Sequence, residues 1–194
     1  MKARDQKIIK ESPVTYDDYA QLPCDGARYE IADGVLELIT PAPSPKHQVI
    51  SSQILTTLMN SCQIDYIIFA SPIDLILSNT EVRQPDLVIV PRSNVDIISN
   101  RGIEGIPSLV GEILSPHSAK RDRFNKLNTY AQYQIPEYWI IDPANEVLEQ
   151  YVLDESGYRL LNVYDREDTV QSKQLPCISF TMAQIFDAAA DLPG

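Results

Sequence analysis

The residues of this chain best suited to chemistry are carboxylates placed where strands begin and end. Asp86 opens the apolar run Leu87-Val88-Ile89-Val90, which lies between Pro85 and Pro91. Glu112 lies inside Leu109-Val110-Gly111-Glu112-Ile113-Leu114, which reads as a buried strand that Ser115-Pro116 forbids from continuing. An ionised Glu112 there must be paired, hydrogen-bonded or bound to a cation, because burying a lone charge is costly. If the two strands are antiparallel neighbours, the start of one lies beside the end of the other, and both carboxylates meet at one sheet edge. Two carboxylates with main-chain oxygens suit a hard divalent cation such as Mg²⁺. The same spacing also satisfies a plainer arrangement, in which each acid ends a strand and faces solvent.

Beyond Pro116 a helix is predicted from about Ser118 to Tyr133, and it opens with Lys120, Arg121 and Arg123. The partial positive charge of a helix N-terminus disfavours cations. With the free N–H groups of the first turn, these three would favour a phosphate, although a solvated charge run has the same pattern. Asp122, Lys126 and Tyr130 follow one another at four-residue spacing and share a helix face. If that face turns toward the strand end, Lys126 can hold or deprotonate a water near a metal. If it does not, the trio is a surface pair beside a core tyrosine. Glu30 reaches the same edge or points into solvent. His47 is a lone histidine on an apolar helix face, the pattern of a satisfied core residue, and His117 sits in the turn after the strand. The sequence has no Gly-rich phosphate loop, nucleophile elbow or Cys/His zinc spacing, which lowers nucleotide-binding, serine-hydrolase and zinc-enzyme readings.

Several elements must position these residues. The 194 residues support one substantial core, and 44% hydrophobic content is globular rather than disordered, so we expect a single α/β domain over 1–194 with a polar arm at 1–13. Thr15 caps a short helix ending by Pro23. Asp33-Gly34 joins strands at about 28–32 and 35–39 in a hairpin. Ser44-Pro45 starts a helix running to about Ser61, with His47, Ile50, Ile54 and Leu58 on one face. Strands are expected at Ile64–Phe69, Ile73–Leu77, Asp86–Val90 and Glu137–Asp142, and a hairpin over Val147–Leu153 and Tyr158–Tyr164. Residues 91–108 read as a connector with a short helix near Val95–Ser99, and Thr181-Met182-Ala183-Gln184 as a capping box. The strand ending near Leu114, the helix after it and the strand at Glu137 form a crossover with parallel strands. No apolar run is long enough to cross a bilayer and the N-terminus lacks a signal-peptide core, so no membrane partner and a cytoplasmic location are expected. Cys24, Cys62 and Cys177 are far apart in sequence and read as reduced, buried thiols. A net charge of −11 argues against a surface that coats nucleic acid, while leaving room for a local basic groove.

In one order the chain carries Tyr29-Glu30-Ile31-Ala32-Asp33-Gly34, His47, Pro85-Asp86, Glu112-Ile113-Leu114-Ser115-Pro116, Asp122, Lys126, Tyr130 and Glu137-Tyr138-Trp139-Ile140-Ile141-Asp142-Pro143. This series resembles a bacterial family assigned as endonucleases within the restriction-endonuclease-like PD-(D/E)xK superfamily, over about residues 14–165. The resemblance implies an α/β fold with a mixed central sheet flanked by helices, built on a core of helix, three antiparallel strands, helix and strand. The N-terminal and C-terminal hairpins would be added to that core. It implies Mg²⁺ or Mn²⁺ held by Asp86, Glu112 and the carbonyl of Ile113. Glu30 would be an additional catalytic acid, Lys126 the catalytic lysine, and His47 and Asp122 accessory residues. DNA would be the substrate, contacted at its backbone by Lys120, Arg121 and Arg123, and cutting both strands would favour a homodimer. The superfamily pattern places lysine two residues after the acid, where this chain has Leu114. The lysine function would then have moved to Lys126. Two rival readings are a non-catalytic nucleic-acid or protein binding module that keeps the fold, and a metal-dependent hydrolase of small phosphoesters.

Overall fold

The computed structural model describes residues 12–23, 26–39 and 42–193. The arm expected at 1–13 lies almost wholly outside the described residues, as does Cys24. Thr15 caps α1 (Tyr16–Tyr19) through a reciprocal capping box with Asp18. At the Asp33-Gly34 turn both residues take positive φ, 50° and 74°, as a two-residue hairpin requires. The turn joins β1 (Arg28–Ala32) to β2 (Val35–Ile39) in antiparallel register. Ser44 caps α2 (Pro45–Cys62), which buries His47, Ile50, Ile54, Leu58 and Cys62 along one stripe, as their spacing predicts.

The remaining strands are β3 (Tyr66–Ala70), β4 (Leu75–Ser78), β5 (Glu81–Arg83), β6 (Leu87–Pro91), β7 (Ile98–Ser99), β8 (Gly102–Ile103), β9 (Leu109–Ile113), β10 (Glu137–Asp142), β11 (Val147–Asp154) and β12 (Gly157–Tyr164). Together with β1 and β2 they form two mixed six-stranded sheets. The sheet that carries the expected core has the order β12-β11-β10-β9-β6-β3, with β3, β6 and β9 antiparallel in turn and β10 parallel to β9. One of its faces packs on α2 through Leu87, Ile89, Leu109 and Trp139. Its other face packs Val88, Val110 and Tyr138 against Tyr130. Cover on both faces is why β6, β9 and β10 are continuous apolar runs rather than alternating ones.

The second sheet, β2-β1-β5-β4-β8-β7, is an addition to the expected architecture and absorbs the N-terminal hairpin. Strands β5, β7 and β8 are only two or three residues long, too short for any period to show in sequence. The connector at 91–108 contains the last two, after a 3₁₀ turn at Arg92–Ile97 rather than the expected helix. The strand expected at Ile73 begins at Leu75. Near the C-terminus the Thr181–Gln184 capping box starts α4 (Met182–Phe186) as expected, whereas a small hairpin of β13 (Thr169–Gln171) and β14 (Ser179–Thr181) precedes it unannounced.

The helix after β9 is not uniform. Residues Arg121–Lys126 are π-helical, and the ordinary helix α3 covers only Leu127–Gln132. Asp122 and Lys126, four residues apart on one face of this turn, both point inward and are buried. Single π turns inside helices recur at functional sites.

Cys62 and Cys177 form a disulfide, correcting the expectation of free thiols. They are 115 residues apart in sequence, but the turn before β14 folds against the end of α2 and brings their Cα atoms to 5.2 Å. A bridge closing so long a loop is expected to stabilise the fold by about 2–4 kcal/mol. Urea unfolding of the oxidised protein with and without a thiol reductant measures this. Coincident curves, with reduction shown to release two thiols per chain, would show that the bridge contributes nothing.

Candidate active site

The register of β6 on β9 builds the site. Leu87 lies opposite Gly111, so Asp86, one step before the strand, lies beside Glu112, one step after the glycine. A Cβ on Gly111 would stand 3.3 Å from the Leu87 Cβ, tighter than ordinary packing, and the bare glycine allows the close approach. Asp86 Oδ2 accepts hydrogen bonds from the Ile113 amide at 2.8 Å and from His47 Nε2 at 3.1 Å. Asp86 is thus tied both to the neighbouring strand and to α2. Its Oδ1 and the Oε2 of Glu112 accept no hydrogen bond from the described residues. Both acids line one cavity of about 830 Å³, together with Glu30, Ile113, Asp122 and Lys126.

Glu112 Oε1 accepts from Lys126 Nζ at 2.8 Å and from the Tyr130 hydroxyl at 2.9 Å. The same ammonium stands 3.1 Å from Glu30 Oε1 and 3.7 Å from Asp122 Oδ1. Lys126 is 2% exposed, so a helix cation that sequence leaves free to point either way is held inward by three acids. Glu30 is buried in turn, with Oε1 accepting from the Gln84 amide at 2.9 Å and Oε2 standing 3.6 Å from Arg83. Arg83 is itself buried against Glu81 at 2.5 Å.

The electrostatics show a cluster with more acid than cation. Burial favours neutral Glu30, but Lys126, Arg121, Arg83 and the Gln84 amide overcome this and hold its carboxyl down at about 2. For Glu112 burial dominates and pushes the carboxyl up to about 8. Lys126 opposes the rise, and the charges of Asp122, Asp86 and Glu30 add to it. Lys126 is buried too, yet Glu112, Glu30 and Asp122 keep it firmly protonated. Burial would lower His47, but its hydrogen bond to Asp86 prevails and raises it. Asp122 Oδ1 and Glu30 Oε2 are buried without hydrogen-bond partners. An excess of carboxylate, two of its oxygens free in a cavity and two more orphaned behind them, fits a divalent cation by charge and donor type. Among the described residues no group of three or more His, Cys, Asp and Glu side chains is placed to hold a metal ion by itself.

The structure brings Asp86, Glu112, Ile113, Lys126, Glu30, Asp122 and His47 together around this cavity. Glu30 is not a solvent-facing strand acid, and His47 is not a self-contained core histidine. The three helix cations are placed differently. Lys120 is exposed and does not line the cavity. Arg121 lines it, 3.8 Å from Asp122. Arg123 is bound to Glu149 and, at 3.0 Å, to Asp142. Sequence reading missed Glu81, Arg83 and the Gln84 amide. The only trace they leave is Glu81-Val82-Arg83, charge alternating with an apolar residue as in any half-buried strand.

A solved structure titled a "putative nuclease belonging to DUF820 from Anabaena variabilis ATCC 29413" matches with a TM-score of 0.74, covering 91% of this chain and 99% of that one. Its sequence identity of 19% makes this a likeness of fold. The chain thus shares the fold of that structure, a mixed α/β fold with helices flanking its sheets. A family model, Uma2, described as "Putative restriction endonuclease", matches residues 16–183, and the chain belongs to that family. No curated protein matches the chain. Among the described residues no helix is long and apolar enough to cross a membrane.

Proposed function

We propose that this chain is a divalent-metal-dependent endonuclease that hydrolyses DNA phosphodiester bonds. The observation that carries the reading is Lys126 Nζ at 2.8 Å from Glu112, on the strand whose register sets Glu112 beside Asp86. Leu114, where the superfamily would have its lysine, favours a binding module without turnover; the inward Lys126 favours the enzyme. Membership of the family and the nuclease-type fold support the same reading.

Held by Asp86, Glu112 and the Ile113 carbonyl, Mg²⁺ or Mn²⁺ would neutralise charge at the scissile phosphate and make a water acidic enough to attack at neutral pH. The chain's own groups do the rest. The Ile113 amide and His47 hold Asp86 in place, leaving Oδ1 toward the cavity. Tyr130 and Lys126 hold Glu112 by one oxygen. Lys126 sets the field in which negative charge develops on the phosphate, with its position fixed by Glu30 and Asp122. Water adds to phosphorus and gives up a proton to solvent, the bond to the leaving oxygen breaks, and that oxygen takes up a proton from solvent to leave as a hydroxyl. A two-fold dimer would present one such site to each strand.

Supercoiled plasmid and single-stranded DNA incubated with Mg²⁺, Mn²⁺ or chelator test the proposal. Cleavage is expected with either metal and not with chelator. Persistent failure to cut either substrate in both metals would sink it. A second measurement probes the metal through pH. Glu112 titrates at about 8 in the folded chain against 4.5 for its ordinary value, so the folded metal-free protein retains a proton between the two. Its contribution to stability is fully present below 4.5 and is lost as pH rises through 8. A cation competes for the same oxygens, so the rise in Tm caused by Mn²⁺ should grow from about pH 6 to about pH 9. Equal shifts at both ends would exclude Glu112 as a ligand.

A further inference from the structure

A cation already bound to a carboxylate has little charge left for a ligand, and the cations lining the cavity divide on this point. Lys126 is surrounded by Glu112, Glu30 and Asp122, Arg123 is held by Asp142 and Glu149, and Arg121 faces Asp122. Arg28 is different. Its Nε donates to Gln84 Oε1 at 2.9 Å and its Nη2 to Ser71 Oγ at 2.7 Å. Both acceptors are neutral, so the guanidinium is oriented without an ion pair to the described residues, and the charge of Asp74 reaches it only at longer range. Gln84 links it to Asp74 through Nε2 at 2.8 Å and to Glu30 through its backbone amide, so Arg28 is aligned by the same residue that holds Glu30. Lys46, in the first turn of α2, also lines the cavity and forms no ion pair with the described residues. It stands where the helix dipole disfavours a cation, and an anion in the cavity would relieve that conflict.

We propose that Arg28 and Lys46 hold backbone phosphates of a nucleic acid in the same cavity as Asp86 and Glu112. The inference rests on the proposed nuclease reading and adds the anchoring cations to it. A guanidinium pinned at Nε and Nη2 still has N–H groups to offer a phosphate oxygen. A chain of net charge −11 has no diffuse attraction for DNA, so a few unneutralised cations in the cleft decide binding. Such contacts position the substrate and carry no sequence information.

The test is binding of a short fluorescein-labelled DNA, single-stranded and duplex, over a salt series in Ca²⁺, which takes the same oxygen ligands. Each of Arg28→Gln and Lys46→Gln should weaken binding and flatten the plot of log K against log salt. The expected change in slope is about 0.9 on duplex or about 0.7 on single strands, with the double variant losing both increments. Lys173→Gln, at an exposed lysine outside the cavity, should leave the slope alone. Lys46→Gln, on a half-exposed helix turn, keeps the proposal testable if Arg28→Gln fails to fold. A double variant with wild-type slope and affinity overturns the inference, and so does a wild-type protein that binds neither DNA. Cleavage in Mn²⁺ by the same preparations separates the two readings. Cutting without any effect of the variants on slope leaves the nuclease and removes these anchors. Slope changes without cutting keep the anchors and remove the nuclease.

Discussion

Lys126→Met is expected to lose about 3–5 kcal/mol of stability at neutral pH, and DNA cleavage with it. Methionine fills the space of the lysine stem but leaves Glu112, Glu30 and Asp122 buried around an apolar tip, where the ammonium stood 2.8, 3.1 and 3.7 Å away. Removing one partner of a buried charge cluster costs more than the cluster ever contributed, because Glu30 and Asp122 stay desolvated with only Arg83 and Arg121 left to oppose them. The carboxyls can escape by taking up protons, so the loss should shrink as pH falls. Urea unfolding in chelator at neutral and mildly acidic pH measures both effects, and an unchanged midpoint at neutral pH would mean that the three pairings do not form. Mn²⁺ should recover part of the stability, since it also opposes the acidic cluster. It should not recover cleavage, because the field at the phosphate is lost. If Mn²⁺ restored both, Lys126 would be a scaffold residue.

Asp86→Asn should behave in the opposite way toward stability. The amide keeps the shape, and its oxygen can still accept from the Ile113 amide, which donates at 2.8 Å in the native chain. Removing one negative charge from an acid-rich cluster leaves the metal-free protein as stable as before or more so, the usual relation between a strained site and its host fold. Cleavage should fall at least about 10²–10³-fold, the size of loss seen when one preorganised charge-stabilising group is removed from a reaction centre. The Tm shift caused by Mn²⁺ should fall in parallel. A folded Asp86→Asn protein that cuts plasmid at the native rate would mean the site is misassigned.

Much of this geometry is legible in the residues alone. Pro85-Asp86 before an apolar run, and Glu112 inside another, mark strand ends with acids. Their meeting needed only one assumption, that the strands are antiparallel neighbours, and the Leu87–Gly111 register meets it. The hairpin at Asp33-Gly34 and the start of α2 at Ser44-Pro45 followed from local chemistry that acts over two or three residues. The second sheet did not, because strands of two or three residues have no period and are held by partners distant in the chain. The Cys62–Cys177 bridge was hidden for the same reason: 115 residues separate its ends, and only the docking of the β13–β14 region on α2 brings them close.

Sequence by itself determined which residues could carry chemistry: the acids at strand ends, the helix face of Asp122, Lys126 and Tyr130, and the ordered motifs that mark the family. It could not decide where the charges point, since a helix cation and a strand acid each read equally well as solvated. Only the tertiary structure settled that Lys126 is buried among Glu112, Glu30 and Asp122 while Arg28 keeps neutral partners. The physical reason is that charge pairing depends on distance in space. Within the π turn and across two sheets, residues from positions 28 to 145 converge on one cavity, and no local pattern records how they meet.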